Sequence, residues 1–359
     1  MAKINNWPIL VIDTVHPMLL QLLVDNGFEL TEAYQWNKEK ILEEIIRNPN
    51  PSEHNIASFR EWLKESFGET LCDLFFYPFN EKYTAGYLDL VKPQDLYKSR
   101  INVEKVIEGS QKASADEGYN TVFYYPLKGL DQFITSLSKE CKIYYNHRAV
   151  EINTEKRIIY FSNNNMVSYD KIISTVPLNK MMEITNTKTG GMPDPSTSVL
   201  VINAGVVKGK CFPDVHWSYI PFSKAGMHRV GFYSNVDVSF LPHCFQKDRS
   251  IGSIYIEKSF KENIKPDEQE IKQITDNIIR ELMDWNFIKD VIVVDTKYTA
   301  VAYTWSWKGS GWKENAIRAL EEKSIVQTGR YGSWKFQGMI NSLEQGFSVD
   351  THFDKKQGF

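Results

Sequence analysis

Cysteine is scarce in this 359-residue sequence, and the four cysteines contain no Cys-x-x-Cys pair. They lie far apart in the chain, at Cys72, Cys141, Cys211 and Cys244. A structural zinc site needs ligands in close pairs, and a disulfide framework needs more cysteines in a shorter chain. We therefore predict buried free thiols in a reducing, cytoplasmic environment and no bound metal.

Long apolar runs and an excess of positive charge are missing as well. No segment approaches the ~20 apolar residues of a membrane-spanning helix, and the first apolar run, Pro8–Ile12, is too short for a signal peptide. The 42 Lys and Arg residues nearly balance the 45 Asp and Glu residues, which gives a net charge of -3. Because no basic patch forms, the sequence predicts a protein without a membrane span that does not bind nucleic acid.

The chain does contain enough apolar sequence, 42% of its residues, to bury a sizeable core. Helical and strand patterns are mixed, with long insertions between them, which favours an α/β or mixed α+β fold over a helical bundle or a sandwich. Within this pattern we expect an aromatic-rich helix from Glu69 to Pro78. We also expect three meander strands at Lys142–Asn146, Ala149–Asn153 and Arg157–Phe161.

Glycine is absent before Gly27, although the first 47 residues favour a strand–helix–strand–helix unit. The first turn follows the apolar strand Ile9–Ile12 and reads Asp-Thr-Val-His-Pro from Asp13 to Pro17. Side chains in this turn block the close backbone approach that glycine permits. The Asp13 carboxylate would also repel a phosphate at ~5 Å by about 3 kcal/mol per charge pair. The turn therefore opposes binding of a pyrophosphate.

Arg229 is the most informative charged residue, because it lies in an otherwise apolar and aromatic strand. An arginine that is buried without a partner is costly, so Arg229 either pairs with a carboxylate or binds an anionic ligand. The sequence leaves both alternatives open. The same reasoning applies to Arg100, on a predicted helix that can instead expose this side chain to solvent.

A second candidate is the turn Gly329–Gly332, in which two glycines flank the stretch Arg330-Tyr331 ahead of a predicted helix. Glycines permit a close backbone approach to a ligand, and the N–H groups at a helix start can receive an anion. An ordinary strand-to-helix turn explains the same residues, and this alternative also stays open.

Four stretches of the sequence agree in order and aromatic content with one known superfamily. They are Phe59–Leu63 with Phe76–Lys82, Phe123–Leu130 with Tyr169–Leu178, Met227–Asn235, and Gly329–Phe336. Over roughly residues 55 to 350, they resemble the FAD-dependent amine oxidases, protoporphyrinogen oxidases and UDP-galactopyranose mutases, and most closely the mutase-like proteins.

The resemblance implies a flavoprotein-like dinucleotide-binding domain, incomplete or altered at its N-terminus, with a helical insertion and an antiparallel-sheet substrate domain. We accordingly predict five segments. They are an N-terminal unit at 1–47, a helical insertion at 52–120, a return to the flavin-binding domain at 121–180, a substrate-binding sheet at 181–300 and a C-terminal flavin-motif segment at 301–359.

The resemblance also implies FAD as the cofactor and assigns residues to two sites. The implied cofactor-binding residues are Thr175, Pro177, Gly329, Arg330, Gly332 and Trp334. The implied substrate-binding residues are Arg100, Arg229, Asn235 and Tyr303. No catalytic acid–base pair can be assigned from the sequence.

The sequence departs from the family pattern at several places. Phe79 and Phe336 stand where the mutases carry tyrosine, and the proline that normally follows the tyrosine matching Tyr303 is absent. Losing a hydroxyl removes a hydrogen bond of ~1 kcal/mol or more, which weighs against mutase activity itself. The family begins with a strand, a Gly-x-Gly-x-x-Gly turn and a helix, whereas residues 1–47 resemble the start of D-2-hydroxyacid dehydrogenases.

Two hypotheses follow from these features. The first is a flavin-dependent oxidoreductase or UDP-sugar mutase-like isomerase that acts on a polar, nucleotide-sugar substrate. The second is a non-catalytic or incomplete relative that has lost FAD binding or needs a partner subunit, with a homo-oligomer as a further possibility. A hydroxyacid dehydrogenase is disfavoured, because no nicotinamide-type glycine motif follows residue 47.

Overall fold

The computed structural model describes residues 32–47, 58–93 and 129–354, together with residues 104 and 107. Arg100 and the turn at Asp13 lie outside the described residues. The chain forms two compact units. Unit 1 contains Met1–Tyr119 and Ser196–Tyr303, and unit 2 contains Asn120–Pro195 and Thr304–Phe359. The five segments predicted from the sequence divide the chain differently and stay a prediction.

The described elements alternate between helices and strands along the chain. The helices are α1 (Glu32–Arg47), α2 (Phe59–Phe67), α3 (Glu69–Leu71), α4 (Tyr77–Tyr83), α5 (Leu130–Leu137), α6 (Leu178–Ile184), α7 (Tyr233–Val236), α8 (Glu268–Asp284), α9 (Trp312–Glu321), α10 (Gly329–Gly332) and α11 (Met339–Asp354). The strands are β1 (Ala149–Asn153), β2 (Ile158–Phe161), β3 (Met166–Ser168), β4 (Ile172–Ser174), β5 (Ser196–Lys208), β6 (Trp217–Tyr219), β7 (Arg229–Phe232), β8 (Ile251–Lys261), β9 (Ile288–Thr304) and β10 (Ile325–Gln327). This mixture confirms the predicted fold class.

A five-stranded sheet in the order β6-β7-β8-β5-β9 is the centre of unit 1. Its longest pairing is antiparallel and joins β5 to β8, from Thr197 opposite Lys261 to Val207 opposite Ile251. Along β5, buried and partly buried residues alternate from Leu200 onward, because successive side chains of a strand point to opposite faces. One face of the sheet is therefore free to pack against a helix.

Helix α8 covers that face and completes the larger hydrophobic core. The core joins sheet residues such as Ile202 and Ile256 to Ile278 and Leu282 of the helix, and all four side chains are fully buried. The helix starts at a capping box, in which the side chains of Asp267 and Glu270 each accept a hydrogen bond from the other residue's backbone N–H.

A second hydrophobic core in unit 1 is helical and rich in aromatic residues. It contains Ile41, Ile45, Trp62, Leu63, Phe67, Leu71, Cys72, Phe75, Phe76 and Leu88. A π turn at Cys72–Phe76 joins α3 to α4, and the helical path runs on to Tyr83 instead of ending at Pro78 as the sequence suggested. Proline is accommodated because it stands in the first turn of α4, where a missing backbone N–H costs little.

Unit 2 is built from two small sheets. In one, β4 and β10 run parallel, from Ile172 beside Ile325 to Ser174 beside Gln327. The other is the antiparallel meander β1-β2-β3. The predicted strand at Lys142–Asn146 is wrong, because this segment forms no strand and Asn146 adopts a left-handed φ of 59° in a turn. The third strand of the meander is instead β3, which follows β2 in the chain and pairs with it.

Two global features of the described residues bear on the sequence predictions. None of their helices is both long enough and apolar enough to cross a membrane. All four cysteines are free thiols, as predicted, but the predicted burial holds for Cys72 alone and is wrong for Cys141, Cys211 and Cys244, which are exposed. Burial raises the pKa of the Cys72 thiol, which keeps it protonated and unreactive at neutral pH.

The β8 strand offers a direct test of the larger core. Ile256→Ala removes a fully buried side chain between β7 and β5, and we expect the free energy of unfolding to fall by about 2–5 kcal/mol. Ile292→Ala on β9 is the matched control, because 47% of that side chain is exposed and the loss should be ~1 kcal/mol or less. Urea unfolding followed by tryptophan fluorescence measures both. Equal losses in the two variants would contradict this description of the core.

Candidate functional site

The pairing of β7 with β8 places Arg229 directly opposite Glu257 in unit 1. Nη2 of the Arg229 guanidinium donates a hydrogen bond to Oε1 of Glu257 and forms an ion pair with it. The Glu257 carboxylate is buried, with 8% of the residue exposed. The sequence left two partners open for Arg229, a carboxylate and an anionic ligand. In the structure, Arg229 pairs with a carboxylate, that of Glu257.

The second carboxylate oxygen of Glu257 lies against two more polar residues. The Tyr303 hydroxyl donates to Oε2 at 3.2 Å, and Nε2 of His228 lies 3.3 Å from the same oxygen. The His228 contact is a close polar approach without hydrogen-bond alignment. We call Arg229, Glu257, His228 and Tyr303 the Arg229 cluster.

Charge and burial act in opposite directions on the groups of this cluster. Burial favours the neutral acid at Glu257, but the Arg229 guanidinium and the contact with His228 outweigh it and lower the pKa of Glu257 to about 2. Burial likewise opposes the charge on Arg229, and the Glu257 carboxylate overcomes it, so the pKa of Arg229 is raised. Burial dominates at His228 and lowers its pKa, so His228 is neutral at pH 7.

Aromatic rings surround the cluster. The Tyr83 ring packs edge-on against Tyr303 with centroids 4.6 Å apart and lies 5.7 Å from the His228 ring. The Arg229 guanidinium lies over the Tyr255 ring at 5.6 Å from its centre. The Arg229 side chain keeps 26% of its surface exposed, while its Nε is buried and has no hydrogen-bond acceptor in the described part of the chain.

Asn235 was predicted to join the same site, but its amide holds the backbone. Nδ2 donates to the carbonyl oxygens of Pro213 and Val215, each at 2.8 Å. These bonds fasten the segment that leads into β6. A contact between Asn235 and a substrate stays a prediction, as does any role for Arg100, which the structure does not describe.

The carboxyl ends of the parallel strands β4 and β10 form the candidate cofactor site in unit 2. Thr328 N–H donates to the carbonyl oxygen of Ser174 at 2.9 Å, which brings the two strand ends together. Gly329 follows with a φ of 72°, a left-handed conformation that favours glycine. A Cβ atom at Gly329 would lie 3.5 Å from Cγ2 of Thr175.

Gly332 is required for a different reason, which is close packing. A Cβ atom there would approach the Ser174 carbonyl oxygen to 2.8 Å and Oε1 of Gln327 to 2.9 Å, nearer than real Cβ atoms come. The structure thus brings Thr175, Gly329 and Gly332 together at one edge of the sheet.

Gln327, the last residue of β10, was not predicted as a site residue. Only 8% of it is exposed, and neither atom of its amide has a hydrogen-bond partner among the residues that the structure describes. Each such buried group left unpaired costs about 1–3 kcal/mol. In open α/β sheets, ligands bind at the carboxyl ends of the strands, so an unpaired donor and acceptor in this position fit a polar cofactor. The sequence signal was a glutamine at the end of an apolar strand just before the glycine turn.

The other predicted cofactor residues have structural partners. Pro177 lies just before the first residue of α6. Trp334 is buried, donates from Nε1 to the carbonyl oxygen of Trp305 at 2.9 Å and packs edge-on against another tryptophan. Arg330 stacks over the Phe336 ring, 4.6 Å from its centre. Contacts of these three residues with a cofactor stay predictions.

The N–H group at the start of the glycine turn is already paired. Gly329 N–H donates to Oε1 of Gln345 at 2.9 Å, and Gln337 donates to the same oxygen at 3.1 Å. Any anion at this turn would have to displace a neutral amide. For metals, the described residues contain no group of three or more His, Cys, Asp or Glu that could hold an ion.

The buried charges of the Arg229 cluster predict a specific pH dependence of stability. Because the pKa of His228 is lowered in the folded chain, the unfolded chain binds a proton first as the pH falls through its ordinary value of ~6.5, and stability decreases. Glu257 does not contribute in this range. The stability that its lowered pKa adds is fully present above a pH of ~4.5 and is lost as the pH falls from there to about 2.

We therefore expect the melting temperature to be lower at pH 5.5 than at pH 7.5, and the difference to shrink in the variant His228→Gln. His243→Gln, at an exposed position, should keep the wild-type difference. Thermal unfolding by circular dichroism at the two pH values measures this. An unchanged pH difference in His228→Gln would show that this histidine is not held neutral.

Comparisons with known proteins agree with the arrangement of these elements. The family model for flavin containing amine oxidoreductases matches residues 37–342. The structure is similar to that of a reduced UDP-galactopyranose mutase, with a TM-score of 0.73 and 23% sequence identity, over 89% of this chain and 72% of the mutase.

Two further structures show the same fold at lower identity. A putative protoporphyrinogen oxidase from Exiguobacterium sp. 255-15 has a TM-score of 0.63 and 11% identity, over 95% of this chain and 76% of that protein. A CLA-producing fatty acid isomerase from P. acnes has a TM-score of 0.52 and 12% identity, over 92% and 76%. The resemblance predicted from the sequence is confirmed: the chain belongs to the family of flavin-containing amine oxidoreductases.

Proposed function

We propose that the protein is a flavin-dependent oxidoreductase, or a mutase-like isomerase, that acts on a small polar molecule. The observation that carries this proposal is the unpaired, buried amide of Gln327 beside the glycine turn Gly329–Gly332. A buried polar group without partners is retained at a cost, and a bound cofactor that pairs with it removes that cost. Family membership makes a flavin the natural candidate.

The residues of unit 2 would hold the flavin through backbone and side-chain contacts. Thr175 and the two glycines lie together at the carboxyl ends of β4 and β10, and the Gln327 amide offers one donor and one acceptor. Pro177, Arg330 and Trp334 complete the proposed set. A flavin bound there supplies hydride or electron transfer, which protein side chains do not perform.

The Arg229 cluster in unit 1 is the proposed substrate site. Nε of Arg229 is a buried donor without an acceptor in the described part of the chain, so a substrate oxygen that reaches it can receive its hydrogen bond. Glu257 fixes the Arg229 guanidinium and the Tyr303 hydroxyl in one geometry. Asn235 and Arg100 are further proposed contacts, of which Asn235 would have to exchange a backbone partner.

A nucleotide sugar such as a UDP-sugar is the candidate substrate of the mutase-like alternative only. The similarity to the UDP-galactopyranose mutase fold favours it. Phe79 and Phe336 argue against it, since neither has the hydroxyl that the mutases use. For location we propose the cytoplasm, because the four free cysteines fit a reducing compartment.

Non-catalytic function, or dependence on a partner subunit for flavin binding, is the second candidate. The sequence feature that favours it is the turn at Asp13, which has no glycine and carries a negative charge. This candidate and the proposed enzyme make opposite predictions about flavin binding.

Titration of the purified protein with FAD distinguishes the two. We expect bound flavin, detected as a shifted visible absorbance and quenched flavin fluorescence. Gly332→Ala should weaken binding by about tenfold or more, the equivalent of ~1.4 kcal/mol, because the added Cβ collides with the Ser174 carbonyl oxygen.

Gly190→Ala is the matched control, since that glycine has nothing within 4 Å of an added Cβ and binding should be unchanged. A colourless protein that ignores added FAD would overturn the proposed enzyme. Equal FAD affinity in the wild type and in a folded Gly332→Ala variant would show that the flavin does not use this turn.

A further inference from the structure

We infer that Glu257 sets the charge of the ligand that the Arg229 cluster accepts, so that the site takes an uncharged or singly charged polar molecule and discriminates against a diphosphate. This inference rests on the proposed function, which makes the cluster a substrate site. It narrows the substrate class and separates the oxidoreductase from a mutase of nucleotide sugars.

Glu257 accepts a hydrogen bond from Nη2 of Arg229, a nitrogen that has one N–H in each of the two planar forks of the guanidinium. The carboxylate cannot easily turn away, because Tyr303 donates to its other oxygen and the His228 ring lies against it. An incoming oxyanion can therefore form a bidentate pair only at the fork that Glu257 leaves open, beside a fixed carboxylate that repels it.

The charges of the Arg229 cluster cancel. Arg229 contributes one positive charge and Glu257 one negative charge, while buried His228 is neutral, so the cluster has no net charge at pH 7. Two lysines outside the cluster interact with Glu281 and not with Glu257. Lys82 and Lys258 donate to the backbone carbonyls of Pro221 and Ala225, and Glu281 accepts a hydrogen bond from the backbone N–H of Ala225.

The ligand that remains possible meets a partly exposed arginine. The Arg229 side chain keeps 26% of its surface exposed, and its Nε is a buried donor that has no acceptor among the described residues. The rings of Tyr83, Tyr303 and Tyr255 provide flat, partly apolar surface around it. A molecule with one oxygen acceptor next to a ring or an apolar group matches this environment, whereas two adjacent phosphates add two or more negative charges beside Glu257.

The test measures the binding of inorganic pyrophosphate by isothermal titration calorimetry, with FAD at saturation so that the flavin site is not available to the probe. We expect the wild type to bind pyrophosphate with a Kd of about 1 mM or weaker at low salt. Glu257→Gln keeps the shape of the side chain and removes the negative charge, and it should bind pyrophosphate about tenfold more tightly. The gain should disappear in the double variant Arg229→Met with Glu257→Gln.

Glu262→Gln is the matched control. It removes one negative charge just beyond the end of the same strand, about 16 Å from Glu257 along the chain, and should leave the pyrophosphate affinity unchanged. Tight pyrophosphate binding by the wild type, or no gain in Glu257→Gln, overturns the inference.

Two further measurements keep the outcome unambiguous. If Glu257→Gln fails to fold, the wild type alone decides: a pyrophosphate affinity that changes little between roughly 50 and roughly 500 mM salt supports a neutral site, and a steep loss of affinity overturns it. The visible absorbance of FAD is recorded on the same samples. A protein that ignores FAD contradicts the proposed function, and the pyrophosphate titration without FAD still tests the charge of the cluster.

Discussion

The buried carboxylate of Glu257 is the group on which the geometry of the Arg229 cluster in unit 1 depends. It pairs with Arg229 across two neighbouring strands, receives the Tyr303 hydroxyl and lies against the His228 ring. Breaking a buried ion pair by removing one partner typically costs about 3–5 kcal/mol, because the remaining charge is left uncompensated. The carboxylate is also the reason that Arg229 can lie in an aromatic strand at all.

The same contacts connect the helical and sheet parts of unit 1. Tyr83 of α4 packs on both Tyr303 and His228, and Phe79 of the same helix packs at a tilt against Tyr219 of β6 with centroids 4.8 Å apart. Phe79 therefore has a packing role in this structure.

Unit 2 follows a separate constraint, which is the close approach of backbone segments at the ends of β4 and β10. Gly332 permits the approach and Gly329 adopts the left-handed turn, while Gln327 is buried beneath them without partners. None of the contacts named here involves the first residues of the chain. The proposed flavin role of this turn can therefore be tested separately from the turn that the sequence predicts at Asp13.

Much of this could be predicted from particular residues. The apolar and aromatic context of Arg229 correctly limited it to two partners, and the motifs at Met227–Asn235 and Gly329–Phe336 indicated the family that the comparisons confirm. Glu257 was not predicted, because its importance comes from cross-strand register, which a single sequence does not contain. Gln327 was missed for a similar reason, since its lack of partners appears only when the strands are assembled.

Local errors had equally physical causes. Pro78 did not end its helix, because the π turn before it places proline in a first turn. Lys142–Asn146 has a strand-like composition, but none of the described strands pairs with it. Pairing with a neighbouring strand, which a single sequence does not reveal, determines whether such a segment becomes a strand. The substrate role of Asn235 is not among these errors and stays a prediction, although its amide donates to two backbone carbonyls.

The central claim is that Glu257 is ionised and neutralises Arg229. Its most direct test is the ionisation of this one carboxyl group, followed by carbon-13 NMR of labelled glutamate, with the Glu257 signal identified by its loss in Glu257→Gln. The account predicts a pKa of about 2, so the signal should show a fully ionised group at neutral pH and remain nearly constant down to a pH of roughly 3.5. A titration centred near the ordinary glutamate value of ~4.3 would contradict it.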